Sequence, residues 1–205
     1  MSGGSAHAGP RVLGIAGSPR RAGNSDLMLD AALEGATGAG AGVARLVASE
    51  LAIGPCRGCN ACSRTGACVV TSDGMAEVYR ALDEADALIV ATPVYFASVP
   101  STLKALYDRC QPYWARRYVL GEPAPDPKRP AGLLVVGGGG DPYGPDCAVT
   151  TTRSVLAVLG VGLEEKVVAD RIDARGDIEA HADILDACRL LGSRLAHTAA
   201  ERSRP

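Results

Sequence analysis

The sequence predicts a doubly wound α/β fold: one domain on a five-stranded parallel sheet in the order 2-1-3-4-5. Three observations carry that reading. Short apolar runs alternate with amphipathic stretches along the chain, the pattern of strands joined by crossover helices. The strand-like runs open on a stretch that is apolar end to end, as a strand covered on both faces must be. Glycine- or proline-bearing loops follow the first, third and fourth runs, at the sheet end where ligands settle in such folds.

Each element has its own local signal. Met1 to Pro10 is small and polar, without the basic start and apolar stretch of a signal peptide, and reads as a disordered tail ahead of a domain at 11–205. Val12 to Gly17 is the first strand. Asn24 and Ser25 are helix-capping types and Asp26 adds a first-turn carboxylate, so a helix runs from there to the glycines after Glu34. Val43 to Ala48 is the second strand. Residues 54–70 form an irregular cysteine-rich loop, after which Asp73 can cap a helix through Met75, Val78, Tyr79 and Leu82. Ala87 to Ala91 is the third strand, ending at Thr92-Pro93, and a helix starts near Pro100 or Ser101 and runs through Leu103, Leu106 and Tyr107. Gly121 to Pro130, with four prolines, must be a loop, part of a Pro-rich insertion over 114–130. Leu133 to Val136 is the fourth strand, Cys147 to Leu159 a helix, Val161 to Ala169 the fifth strand, and Ile178 to Ala200 a long amphipathic helix with fraying after it.

Composition bounds the function. The 205 residues are 47% hydrophobic and 21% charged, enough for one full core, with no repeat and no domain linker. A formal net charge of −2, with no polybasic run beyond Arg116-Arg117 in an expected solvated loop, gives no field for nucleic acid or a membrane surface. No apolar run reaches the roughly 18 residues of a membrane helix. The expectation is a cytoplasmic protein. Seven cysteines, an odd number, four of them between Cys56 and Cys68, suit a reducing compartment and argue against a disulfide framework.

The loop Gly17-Ser18-Pro19-Arg20-Arg21-Ala22-Gly23-Asn24-Ser25 leads from a strand into a helix N-terminus. Free backbone N–H groups and the helix dipole meet there, Ser18, Asn24 and Ser25 bring side-chain donors, and Arg20 or Arg21 brings positive charge. That chemistry suits a terminal phosphate monoester. The loop is neither G-x-G-x-x-G nor a P-loop, and a plain capped turn is the competing reading.

Cys56-x2-Cys59-x2-Cys62-x5-Cys68 is the sharpest feature. Three thiolates in steps of three can wrap one corner of an iron–sulfur cluster and a fourth can close it. The x3-Cys-Pro continuation of bacterial ferredoxins is missing. A zinc site or a redox-active disulfide competes, although zinc ligands usually come as two separated C-x2-C pairs. Cys110, Cys147 and Cys188 read as buried free thiols, and His7, His181 and His197 belong to no constellation, so no catalytic residue is assigned.

Gly17-Ser18-Pro19-Arg20 with Gly23-Asn24-Ser25, then Thr92-Pro93-Val94-Tyr95-Phe96-Ala97-Ser98-Val99 and Leu103-Lys104-Ala105-Leu106-Tyr107-Asp108-Arg109, resemble the NADPH-dependent FMN reductase family of flavodoxin-like proteins. The resemblance implies that Ser18, Arg20, Asn24 and Ser25 hold the FMN phosphate, and that Thr92, Pro93, Val94, Tyr95 and Phe96 meet the isoalloxazine ring. Gly138 and Gly139, in the glycine run after the fourth strand, would let backbone approach the ring edge. The cysteine spacing resembles the iron–sulfur flavoprotein branch, which implies one [4Fe-4S] cluster on Cys56, Cys59, Cys62 and Cys68, FMN beside it, and a homodimer or homotetramer. Arg57, Arg64 and the loop's N–H groups would offset the thiolate charge. Electrons would come from ferredoxin or NAD(P)H and pass to a small acceptor such as a quinone, O2 or peroxide. Two other functions stay open: an NAD(P)H-dependent FMN or quinone reductase without a cluster, and a non-enzymatic electron carrier or redox sensor.

Overall fold

The computed structural model describes residues 9–126 and 128–203. Five strands, β1 (Arg11–Ala16), β2 (Gly42–Val47), β3 (Ala87–Pro93), β4 (Arg129–Val136) and β5 (Val161–Ala169), form one all-parallel sheet in the order β2-β1-β3-β4-β5. The helices are α1 (Asn24–Gly38), α2 (Cys62–Thr65), α3 (Met75–Glu84), α4 (Ser101–Asp108), α5 (Gln111–Tyr118), α6 (Asp146–Val158) and α7 (Ala182–Arg202), with a short 3-10 helix at Asp177–Ala180. This is the doubly wound flavodoxin-like fold that the sequence predicts.

Successive side chains of each strand point to opposite faces, so each apolar run feeds two cores. Leu13 and Ile15 of β1, Leu88 and Val90 of β3 and Leu133 and Val135 of β4 pack with Met75, Val78 and Leu82 of α3, Leu103 and Leu106 of α4 and Leu156 of α6. Val12 and Ala16, Ile89 and Ala91, and Leu134 and Val136 pack on the other face with Met28, Leu29 and Leu33 of α1 and Cys188, Leu191 and Leu195 of α7. Helices α1 and α7 touch through glycines: a Cβ on Gly192 would stand 1.8 Å from the Ala32 carbonyl oxygen, and one on Gly35 2.0 Å from that of Arg189. The close approach fixes α7 over the strands.

Several expected boundaries differ. The tail expected over 1–10 lies outside the described residues up to position 8, while the Pro10 carbonyl accepts a hydrogen bond from Gly42 N–H. The segment Trp114–Tyr118, read as loop and insertion, is helical in α5; Pro112 sits in its first turn, where a missing N–H costs nothing. Strand β4 begins at Arg129, inside the expected loop, because the Arg129 guanidinium binds the carbonyls of Leu82, Ala85 and Leu159. The last helix is split, with Asp177–Ala180 in a 3-10 turn before His181, and Arg202, expected to fray, ends α7 hydrogen-bonded to Lys128 O. Cys110 and Cys188 are buried as expected, and burial pushes their thiols up to about 12; Cys147 is exposed instead. Among the described residues no helix is long and apolar enough to cross a membrane.

Candidate functional site

The loops after β1, β3, β4 and β5 meet at one end of the sheet. Ser18, Arg20, Gly23, Asn24 and Ser25 from the first, Pro93, Val94 and Tyr95 from the second, Gly137 and Gly138 from the third, and Ile172, Asp173 and Arg175 from the fourth enclose a cavity of about 70 Å³. The N–H groups of Ser18, Arg21, Asn24 and Ser25 have no hydrogen-bond partner among the described residues. They lie at the positive end of the 15-residue α1. The Ser18 hydroxyl oxygen accepts from Arg20 N–H, which leaves its proton to donate. Arg21 turns away to Glu50 at 2.6 Å, so Arg20 is the loop's cation at the cavity. Gly17 is required where the loop leaves β1, since a Cβ there would stand 2.5 Å from Leu103 Cδ2 and 3.0 Å from Ala91 O.

The Asn24 side chain, which lines the cavity, is largely committed to the protein. Its Nδ2 donates to Ala174 O at 2.9 Å, and its Oδ1 accepts from Gly176 N at 3.0 Å and Ile178 N at 3.3 Å. The side chain ties the loop after β5 onto the loop after β1, and one amide proton remains for a ligand. Arg175, which sequence reasoning missed, follows from that tie; its Nε donates to Ala22 O at 3.4 Å.

A second cavity of about 270 Å³ adjoins the first through Val94, Gly137 and Gly138, and adds Phe96, Gly139, Gly140, Asp141 and Val168. Phe96 reaches it from a tight turn in which Tyr95 and Ser98 exchange backbone hydrogen bonds of 2.8 and 3.0 Å. Phe96 and Ala97 at its centre both lie in the left-handed region, at φ of 49° and 58°. Their N–H groups have no partner among the described residues, so two donors face outward from the turn. Tyr95 is half-buried, whereas the Phe96 side chain is wholly exposed. Thr92 is fully buried, and its hydroxyl donates to Pro93 O at 2.9 Å; it supports the turn from below and lines neither cavity.

The four motif cysteines share a third cavity, of about 280 Å³, lined also by Arg57, Arg109 and Gln111. Gly58 and Asn60, at φ of 62° and 57°, turn the chain between the first thiols, and the C-terminus of α2 is closed by Gly66 N–H on Cys62 O. From Arg57 to Ala61 no backbone N–H has a partner among the described residues. Burial pushes the Cys62 thiol up, and Cys68, Cys56 and Cys59 act on it in the same direction, which puts all four in one electrostatic neighbourhood. Among the described residues no three His, Cys, Asp or Glu side chains meet closely enough to hold a single metal ion. Four thiols, outward N–H groups and a buried arginine around one space suit a bulky, anionic guest. Arg64 does not line the cavity; Arg109, read from sequence only as the end of a family motif and not as a cavity residue, does. No residue lines both this cavity and the flavin-sized pair.

The family model described as NADPH-dependent FMN reductase matches residues 10–170. An iron–sulfur flavoprotein of Archaeoglobus fulgidus is 40% identical over 112 residues, 55% of this chain and 50% of its own length. One from Methanosarcina thermophila is 40% identical over 99 residues, 48% of this chain and 51% of its own. The chain thus spans about half the length of these curated relatives. Among solved structures, RosB, with the bound intermediate 8-demethyl-8-formylriboflavin-5'-phosphate, superposes with a TM-score of 0.68 over 95% of this chain and 82% of its own, at 18% identity, a likeness of fold.

Proposed function

The chain belongs to the NADPH-dependent FMN reductase family, on its iron–sulfur flavoprotein branch, and from that premise we propose that it is a flavin-dependent oxidoreductase carrying FMN and a [4Fe-4S] cluster. One observation carries the reading: motif loops about 75 residues apart in sequence close on a single pair of adjoining cavities, one phosphate-sized and one ring-sized. Bound there, FMN supplies one- and two-electron exchange, and a cluster on Cys56, Cys59, Cys62 and Cys68 supplies one-electron exchange.

The residues then have distinct work. The free N–H groups of Ser18, Arg21, Asn24 and Ser25, the Ser18 hydroxyl and the cations of Arg20 and Arg175 hold a phosphate dianion at the start of α1. Pro93 and Val94 set the turn, and the N–H groups of Phe96 and Ala97 donate to the polar edge of the ring. Tyr95 and Phe96 offer apolar surface to it. Gly138 and Gly139 line the ring-sized cavity without side chains and so leave backbone free to approach the rim of the ring. The x2, x2, x5 spacing of the four cysteines favours a cube over one zinc ion, whose ligands usually come as two separated C-x2-C pairs. NAD(P)H or ferredoxin serves as donor, and a quinone, O2 or peroxide as acceptor, in a reducing cytoplasm that keeps the thiols available. Because the two sites share no lining residue, we place their electron exchange across subunits of a homodimer or homotetramer.

The same separation favours a second reading, an NAD(P)H-dependent FMN or quinone reductase that works on the flavin alone. Anaerobic purification with iron, acid-labile sulfide and flavin analysis decides: about four irons per FMN supports the first reading, and flavin without iron or sulfide the second. Colourless protein that ignores added FMN overturns both. Steady-state turnover with NADPH and a quinone separates either enzyme from a passive electron carrier.

A further inference from the structure

Arg109 stands at the end of α4, 2% exposed, and is the only arginine among the described residues that is buried. Four of its five guanidinium protons are accounted for. One terminal nitrogen donates to Gly54 O at 3.0 Å and to Asp73 Oδ2, and the other to Val70 O at 3.0 Å and Asp73 Oδ1 at 3.2 Å. Gly54 and Val70 are the two ends of the cysteine loop, so one planar group closes that loop at its base. Asp73 reinforces the closure by accepting from Gly54 N–H at 3.3 Å and Met75 N–H at 3.2 Å. Tyr79 completes the frame by donating to Arg109 O at 2.7 Å.

The fifth proton, on Nε, has no acceptor among the described residues, and only one other buried side-chain polar atom there, Thr102 Oγ1, shares that condition. An unpaired buried N–H costs about 1–3 kcal/mol and is seldom kept without a reason. Arg109 lines the cavity that the four cysteines share.

We propose that Arg109 both clasps the cysteine loop and donates its Nε–H to a sulfur of the bound cluster, setting the cluster's reduction potential. The inference rests on the cluster reading given above. The clasp is built from protein groups alone, so the cage is shaped before iron arrives. The Nε–H is a charge-assisted donor to an anionic guest, and such bonds favour the more negative, reduced state. It acts with the full charge of an arginine whose own partners keep it protonated.

The test has three arms. Iron and sulfide content of the wild-type protein judges the cluster reading by itself. In wild-type holoprotein labelled with [15Nε]arginine and chemically reduced, pulsed electron paramagnetic resonance should show 15N coupling, and the coupling should persist in the Arg57→Lys/Arg64→Lys double variant. Arg109→Lys, which lacks Nε, should lose it and shift the reduction equilibrium about tenfold toward the oxidised state, about 59 mV lower for one electron. A wild-type cluster without coupling, or an Arg109→Lys cluster at the wild-type potential, overturns the Nε contact; if Arg109→Lys binds no iron, the labelled wild-type spectrum decides alone. Hydrogen exchange on iron-free protein reads the clasp: amides of residues 54–70 should exchange at least tenfold faster in Arg109→Lys, and unchanged rates would overturn that part whether or not iron binds.

Discussion

Asn24 offers the sharpest handle on how the phosphate pocket is held. The residue is 8% exposed, and its side chain makes three hydrogen bonds to the segment after β5, 150 to 154 residues away in sequence. At about 0.5–1.5 kcal/mol net for each bond, Asn24→Ala would forfeit about 1.5–4.5 kcal/mol. Water offsets part of that, since Ala174 is exposed and Gly176 half-exposed. The Ile178 N–H is buried, so its unmet donor supplies most of the remainder. The expected loss is about 1–3 kcal/mol, read as a lower urea midpoint at unchanged slope. The FMN affinity of the same variant should fall at least tenfold, because Asp173 and Arg175 lose their tether. Asn24→Asp separates the two effects: a carboxylate still accepts from Gly176 and Ile178, so stability should move little. It also sets a negative charge beside the phosphate and should weaken FMN more than the alanine variant does. Flavin fluorescence titration gives the affinities. An alanine variant with wild-type midpoint and wild-type affinity would falsify the idea that this amide holds the pocket together.

Gly192→Ala should destabilise by about 3 kcal/mol or more, because the new Cβ meets the Ala32 carbonyl oxygen at 1.8 Å and backbone must move; a urea midpoint within experimental scatter of wild type contradicts the packing described. Phe96→Gly should stabilise the flavin-free protein by about 1 kcal/mol, since a wholly exposed side chain is lost and a left-handed strain relieved, while FMN binding weakens. Thermal unfolding with and without FMN reads both, and a lowered melting point without FMN counts against it. Asp73 gives a pH signature: the Arg109 guanidinium holds its carboxyl below the ordinary 3.8. A lowered folded value means that its stabilisation is complete above about pH 4 and is lost as pH falls through that lowered value. Iron-free wild type and Asp73→Asn should therefore differ in urea midpoint at pH 6 and converge toward pH 2; a constant gap down to pH 2 would rule this out.

The sheet was legible because a doubly covered parallel strand announces itself as a contiguous apolar run, and five strands alternating with helices suit the 2-1-3-4-5 order that the sheet has. Both motif loops were legible because strand-to-helix turns have local chemistry: glycine where a Cβ cannot fit, a proline after the strand, capping-type residues before the helix. Helix α5 was not, because Gln111-Pro112-Tyr113-Trp114-Ala115-Arg116-Arg117-Tyr118 has no clear apolar stripe. It is held by tertiary contacts, Tyr113 against Tyr79 and Asp83 and Arg116 Nε on Gly66 O.

Asn24 and Arg109 show the deeper reason that the rest was hidden. Each was noticed for its local setting, one as a capping-type donor, the other as the end of a helix motif. Each spends its hydrogen bonds on distant loops: Asn24 on residues 174–178, Arg109 on residues 54–73. A multivalent polar side chain can serve a local turn, a distant loop or a ligand, and sequence shows only its capacity. The structure shows which protons are already committed. One amide proton on Asn24 and one guanidinium proton on Arg109 remain, each beside a cavity, so both residues frame a site first and can bind second. That order makes physical sense. A loop fixed by protein groups alone has met its ordering cost before a ligand arrives, and the ligand's own contacts then go into affinity.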